Sequence, residues 1–299
     1  MAIIIPENYH IRTALQKRRV HCITPEKAEH QDIRPLRIGI LNIMPQAESY
    51  EFNILFPLGR SIIQIEPVWL RLETHTYSSS NKAHLDTYYS TFSDAIRYRG
   101  FDGIIVTGAP VEEIPFEKVT YWDEFTEILD YAHEHVASTL GICWGGLALA
   151  KYMGIEKVRY PEKLFGVYKL KNLNREHRIT GDLDDEFWCP QSRHSGIPDN
   201  VLEARSAAGE IRLLAHSPET GYVIFESCDG RFIMHLGHAE YRTRRLIDEY
   251  NRDMQRGRTD VRRPANISIE NPVNIWRNAS QEFFLQWIKK VYLDTPYEI

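Results

Sequence analysis

A short apolar run that breaks abruptly into a helix at a cysteine constrains this chain more than any other stretch. Val136 to Ile142 is apolar and short enough for a buried strand, and Leu147, Ala148, Leu149, Ala150 and Met153 suit a helix packed beneath it. Between them, Gly141, Cys143, Trp144, Gly145 and Gly146 supply a sharp turn in which small residues let the helix start close to the strand. The pattern predicts a strand–elbow–helix unit with the Cys143 sulfur at a helix N-terminus. That end of a helix favours anions, the setting a sulfur nucleophile needs. A buried cysteine taken alone behaves as a small hydrophobe, so the elbow needs partners before it means chemistry.

The surrounding chain predicts the sheet that would carry such an elbow. Leu36 to Ile43, Ile62 to Leu70 and the run from Phe101 to Pro110, which ends in a Gly-Ala-Pro turn, read as buried strands. Ala47 to Leu58 and Trp122 to His135 read as helices between them, and Thr74 to Lys82 as a polar loop. This alternation predicts an α/β fold with a doubly wound, mostly parallel sheet, whose site lies beyond the carboxyl ends of the strands. After residue 155 or so, strands dominate: Leu164–Leu170, Ile211–His216, Tyr222–Glu226 and Arg231–Leu236, the last two joined by a Cys228-Asp229-Gly230 turn. Helices are expected over Glu240–Arg256, with Leu246, Ile247 and Tyr250 inward, and over Trp276–Tyr292, with a surface excursion from Gly257 to Val273 between them. Residues 1–35 read as an irregular arm with one short helix near Ile11–Lys17, and 36–299 as one α/β domain with a C-terminal helical extension.

Composition excludes several classes. A net charge of −5 over 299 residues gives no case for nucleic acid, and Arg and Lys clusters at 17–19 and 242–245 read as solvated faces. Four scattered cysteines with no C-x-x-C pair suit a reducing cytosol and disfavour a structural zinc site. The apolar run after Met1 ends at Pro6, and no stretch approaches the roughly 18 apolar residues of a membrane span. A cytoplasmic protein is expected, with no metal, flavin or pyridoxal phosphate called for.

A cysteine nucleophile needs a base. Gly237-His238-Ala239-Glu240 follows the last strand, and in an extended segment residues two apart project to one side, so Glu240 can orient His238. With Gly-Ile-Cys143-Trp-Gly upstream, this pair resembles the class I glutamine amidotransferase fold. The finer resemblance is to the homoserine O-acyltransferases of methionine biosynthesis, the MetA family. It runs in order from about residue 30 onward through I-R-P-L-R-I-G-I-L-N-I-M-P (33–45), F-D-G-I-I-V-T-G-A-P (101–110), A-S-T-L-G-I-C-W (137–144), E-K-L-F-G-V-Y (162–168), P-Q-S-R (190–193), G-H-A-E-Y (237–241) and E-Y-N-R-D (249–253).

The resemblance implies ping-pong transfer from an acyl-CoA co-substrate, through a thioester on Cys143, to the hydroxyl of an amino acid. His238 would move the protons, Glu240 would hold the imidazole, and the backbone N–H groups of Trp144 and Gly108 would form an oxyanion hole. It further implies substrate binding by Lys163, Ser192 and Arg252, the last through a bidentate carboxylate pair. Taken alone, Lys163 and Arg252 read as surface charge and Ser192 as a turn residue. In the family the position two after the Gly-Ala-Pro turn lines the acyl pocket, glycine going with succinyl and glutamate with acetyl. Glu112 stands there. A carboxylate at that point would repel a second one at about 4 Å by roughly 1 kcal/mol in water and several-fold more in a drier pocket, which favours acetyl-CoA.

Two departures accompany the match: Gln46-Ala47 replaces the family's usual Lys-Lys after Met-Pro, and Gly145 its usual alanine. They leave the acceptor open, since homoserine and serine differ by one methylene, worth about 1–3 kcal/mol in a pocket. The expected activity is homoserine O-acetyltransferase. The alternatives are a serine O-acetyltransferase or homoserine O-succinyltransferase on the same scaffold and, more distantly, a glutamine amidotransferase. The family resemblance also implies a homodimer.

Overall fold

The computed structural model describes residues 2–296, which divide into two compact units. The first draws on the chain up to Thr107, on Thr120–Thr139 and on the chain from Phe284. Its strands are β1 (Ile3–Ile4), β2 (Cys22–Ile23), β3 (Leu36–Leu41), β4 (Ile65–Arg71), β5 (Tyr89–Thr91) and β6 (Gly103–Val106). They run in the order β2-β1-β4-β3-β6, with β5 also on β4, and these neighbours pair in parallel. All six residues of β3 are buried, as a strand covered on both faces requires. The helix Trp122–His135 turns Phe125, Ile128, Leu129 and Ala132 inward, the i, i+3, i+4, i+7 stripe of an amphipathic helix. Phe284, Trp287, Ile288 and Val291 of the last helix, Arg277–Asp294, are buried, and Trp287 Nε1 donates to Ser138 Oγ at 3.1 Å.

The second unit comprises Gly108–Val119 and Leu140–Phe283. β7 (Ser138–Ile142) runs into it and is followed by the elbow helix Trp144–Tyr152. β8 (Val158–Asn172), β9 (Glu186–Gly196), β10 (Ile211–Ser217), β11 (Gly221–Ser227) and β12 (Phe232–His235) complete it in the order β7-β12-β11-β10-β8-β9. From β12 to β9 every pairing is antiparallel. The expected α/β class holds, with parallel strands in one unit and antiparallel strands in the other.

Several local expectations are corrected. The helix expected in the arm is present at Arg12–Lys17, but the arm is not otherwise irregular: β1 lies between β2 and β4, and Pro25–Glu29 is helical. Two-residue strands carry no periodicity to read. They are held in part by buried Arg12, which donates to Ile5 O at 2.8 Å and Cys22 O at 3.0 Å. β9 departs from the expected strands, because Pro190 and a polar run argue against a central strand. The helix expected from Glu240 starts at Arg245, and it buries Glu249 and Asp253, with Tyr250 only half-buried. The expected excursion after Gly257 returns to β8: Ala265 N–H donates to Phe165 O at 2.9 Å and Val167 N–H to Ala265 O at 3.0 Å. Gly166 permits this approach, since a Cβ there would lie 2.5 Å from Ala265 backbone atoms.

Candidate active site

The elbow is built by steric exclusion. A Cβ on Gly141 would sit 2.5 Å from the carbonyl carbon and oxygen of Gly145 and 2.6 Å from Gly146 N, so the strand can lie against the first helical turn only without a side chain. The chain then turns at Cys143, whose φ of 53° and ψ of −112° are unfavourable for a residue with a Cβ. Such conformations cost about 1–3 kcal/mol and persist where neighbouring structure enforces them. Here Cys143 N–H donates to His235 O at 2.8 Å and Leu147 N–H to Cys143 O at 3.0 Å, which fixes the residue between β12 and the helix. The buried thiol lies 3.9 Å from Ser192 O.

His238 reaches the same point from the end of β12. Gly237 lies against β9 so closely that a Cβ would come within 2.6 Å of Gln191 Nε2 and Cys189 Sγ, and His238 N–H donates to Pro190 O at 2.9 Å. The buried imidazole meets Glu240 through Nδ1 at 2.7 Å. A carboxylate can only accept there, which puts the proton on Nδ1. His238 is also hydrogen-bonded to Cys143. Burial opposes charge on this ring, but the Cys143 sulfur and the Glu240 carboxylate outweigh it and raise its pKa well above the usual histidine range. Tyr241 stacks on the imidazole, with centroids 3.9 Å apart at 22°. The elbow sulfur, a base and the base's orienting carboxylate are thus assembled in the second unit.

A charged network adjoins them. Ser192 Oγ and Tyr241 OH both donate to Glu249, each at 2.6 Å, and Arg245 Nε lies 3.2 Å from it. Burial disfavours the Glu249 carboxylate, yet Lys163, Arg245 and His238 hold its pKa down at about 2. Lys163 Nζ donates to Asp253 at 2.8 Å, lies 3.9 Å from Glu249 and sits over the Phe165 ring. Arg252 donates to Asp253 Oδ1 through Nε and Nη2 at 3.1 and 3.0 Å, and 42% of its side chain is exposed. The readings of Lys163 as surface charge and Ser192 as a turn residue are therefore corrected: both are buried, and Ser192 belongs to β9. Glu249, Asp253 and Tyr241 join the site from outside the set that sequence reasoning assigns to it. The signal available was Glu249 and Asp253 at i, i+4, two acids on the face that Leu246 turns to the core.

Glu112 is held by its own carbonyl, which accepts from Lys157 Nζ at 2.6 Å and Ser195 Oγ at 2.7 Å. Its carboxyl end is buried, and Oε2 has no hydrogen-bond partner among the described residues. Burial pushes its pKa up to about 7, against the partial relief of the His194 N–H, Lys163, His238 and Arg193. A carboxyl group with a raised folded-state pKa keeps its proton longer when folded, so its contribution to stability is complete below about 4.5 and is lost as pH rises through about 7. Glu112→Gln is expected to flatten the stability–pH profile across that interval. Denaturant titrations at stepped pH check this, and an unchanged slope would contradict it. Gly108 is buried at the start of the segment that carries Glu112, and Trp144 opens the elbow helix.

Solved structures share this architecture at low identity. A glutamine amidotransferase from Methylobacillus flagellatus aligns with a TM-score of 0.56 at 14% identity, over 87% of this chain and 96% of that one. A glutamine amidotransferase from Thermotoga maritima gives 0.53 at 12%, over 87% and 97%. These establish the fold, class I glutamine amidotransferase-like, and nothing finer. Sequence relatives are much nearer. A homoserine O-acetyltransferase of Bacillus subtilis is 38% identical over all of this chain and 99% of its own length, and one of Petrotoga mobilis is 39% identical over all of this chain and 97% of its own. Among the described residues no helix is long and apolar enough to cross a membrane. A family model described as homoserine O-succinyltransferase matches residues 2–297, and on that match the chain belongs to the homoserine O-succinyltransferase family of acyltransferases.

Proposed function

We propose that the protein transfers an acetyl group from acetyl-CoA to the side-chain hydroxyl of L-homoserine. The named relatives support the reaction, and the buried Glu112 carboxyl group supports the choice of acyl donor. In the first half-reaction the Cys143 sulfur attacks the thioester carbonyl. The carbon–sulfur bond to coenzyme A breaks, and the leaving thiolate takes the proton held by His238. One thioester replaces another, so the step is close to thermoneutral. In the second half-reaction the homoserine oxygen attacks the acetyl carbonyl as His238 accepts its proton, and Cys143 leaves. Glu240 holds the imidazole with Nε2 free for both transfers and offsets its charge. The proposed oxyanion donors are the N–H groups of Trp144 and Gly108. Asp253 occupies two of the Arg252 N–H groups, and the others are assigned to the acceptor's carboxylate. Glu249 and Ser192, with Lys163, line the approach. Four free cysteines suit a reducing cytoplasm.

Glu112 discriminates by bulk at any pH and by charge once it ionises. A succinyl chain, always anionic near neutrality, would bring its distal carboxylate against Glu112. With the Glu112 pKa at about 7, rejection of succinyl-CoA should strengthen as pH rises through 7. The test is kcat/KM for the two donors with homoserine. Acetyl-CoA is expected to be preferred at least tenfold, with Glu112→Gly narrowing the gap by a similar factor. A preference for succinyl-CoA in the natural protein would reverse the donor assignment.

A further inference from the structure

The first unit holds a second cluster of ligating side chains that the acyltransferase reading does not use. The Glu51 side chain is fully buried, on the helix Ala47–Leu58. Its ion-pair partners among the described residues are two histidines from other parts of the chain: His84 Nε2 at 2.7 Å, from the helix Lys82–Tyr88, and His10 Nδ1 at 3.7 Å, from the arm. One ligating atom from each of the three lies within 4.8 Å of the other two.

The hydrogen bonds around the cluster orient its ligating atoms. His10 Nε2 lies 3.2 Å from Glu48 O. A carbonyl only accepts, so Nε2 donates to Glu48, and Nδ1 is the ring nitrogen that faces the Glu51 carboxylate, 3.7 Å away and placed to ligate. The Glu48 contact is the usual support of a metal-bound histidine, whose far N–H donates to a carbonyl. Tyr9 OH donates to one Glu51 oxygen and Tyr89 OH to the other at 2.8 Å, so the carboxylate is held in place from behind. Asn42 Nδ2 donates in turn to Tyr89 OH at 2.8 Å. A similar trio in the second unit makes the contrast: Glu113, His194 and Asp260 also converge, but the Arg258 guanidinium already sits among them, 2.9 Å from Glu113 and 2.6 Å from Asp260.

The geometry points to a divalent transition-metal site of the zinc class formed by His10, Glu51 and His84. Two imidazoles and one carboxylate match the borderline softness of Zn²⁺, and three protein ligands leave a fourth position. His10, 39% exposed, opens that position to water. On binding, His84 changes tautomer: Nε2 gives up its proton to solvent and ligates, and Nδ1 takes one up. The metal would clip the N-terminal arm to two helices of the unit. No motif announces the site, because its three residues come from three separate segments.

The test is zinc binding by the full-length chain after chelator treatment, measured by dialysis and elemental analysis. The natural protein is expected to retain one equivalent and to gain thermal stability with zinc. His10→Gln, a change at an exposed position, should bind zinc at least about tenfold more weakly and lose the thermal shift, with an unchanged far-ultraviolet circular dichroism spectrum. His84→Gln should behave alike. No retained zinc in the natural protein, or equal binding and equal thermal shifts in the natural protein and both variants, would overturn the site.

Discussion

Cys143→Ala is expected to lower kcat/KM for acetyl-CoA by about 10⁴-fold or more while leaving the fold intact. The sulfur is the only heavy atom lost, and no neighbour can replace it: Ser192 presents a backbone carbonyl to it, and its hydroxyl is committed to Glu249. Alanine keeps the unfavourable φ of 53°, so stability should change little. Cys143→Gly separates the two roles of the position. It should be equally inactive, yet it removes the Cβ that makes this conformation costly and should therefore gain about 1 kcal/mol. Thermal and denaturant unfolding of the three proteins would check the order glycine above alanine. Glycine less stable than alanine would mean that the elbow is not strained.

The second large effect is on folding. Gly141→Ala places a methyl group 2.5–2.6 Å from backbone atoms of Gly145 and Gly146, which cannot swing aside as a flexible side chain can. The helix would have to move off the strand and carry the Cys143 Sγ with it. Destabilisation of about 3 kcal/mol or more is expected, at the upper end of overpacking, with activity lost in whatever remains folded. Equilibrium unfolding measures the first and kcat/KM at permissive temperature the second. A variant of natural stability would show that the tight approach of strand and helix is not required.

How much of this was legible in the sequence varied with the kind of signal. The helices Ala47–Leu58 and Trp122–His135 have the expected bounds, the first closed by Gly59 and the second marked by its apolar stripe. The elbow was legible because sterics leave Gly141 no substitute. The His238–Glu240 contact followed from their spacing, although the segment is a turn before the helix rather than its first turn. What stayed hidden depends on tertiary contacts. β9 carries Gln191, Ser192 and Arg193 buried, and polar residues around a proline resemble a loop until their partners are known. Lys163 is buried because Glu249 and Asp253 face it from a helix roughly 90 residues later, a pairing no local pattern encodes. The histidines around Glu51 are unremarkable in sequence for the same reason.

The most direct test of the account is the intact mass of the protein after brief mixing with acetyl-CoA, followed by a homoserine chase. One acetyl adduct is expected, located on Cys143, absent in Cys143→Ala and discharged by homoserine. Turnover without any adduct, or an adduct that persists in Cys143→Ala, would contradict the thioester mechanism.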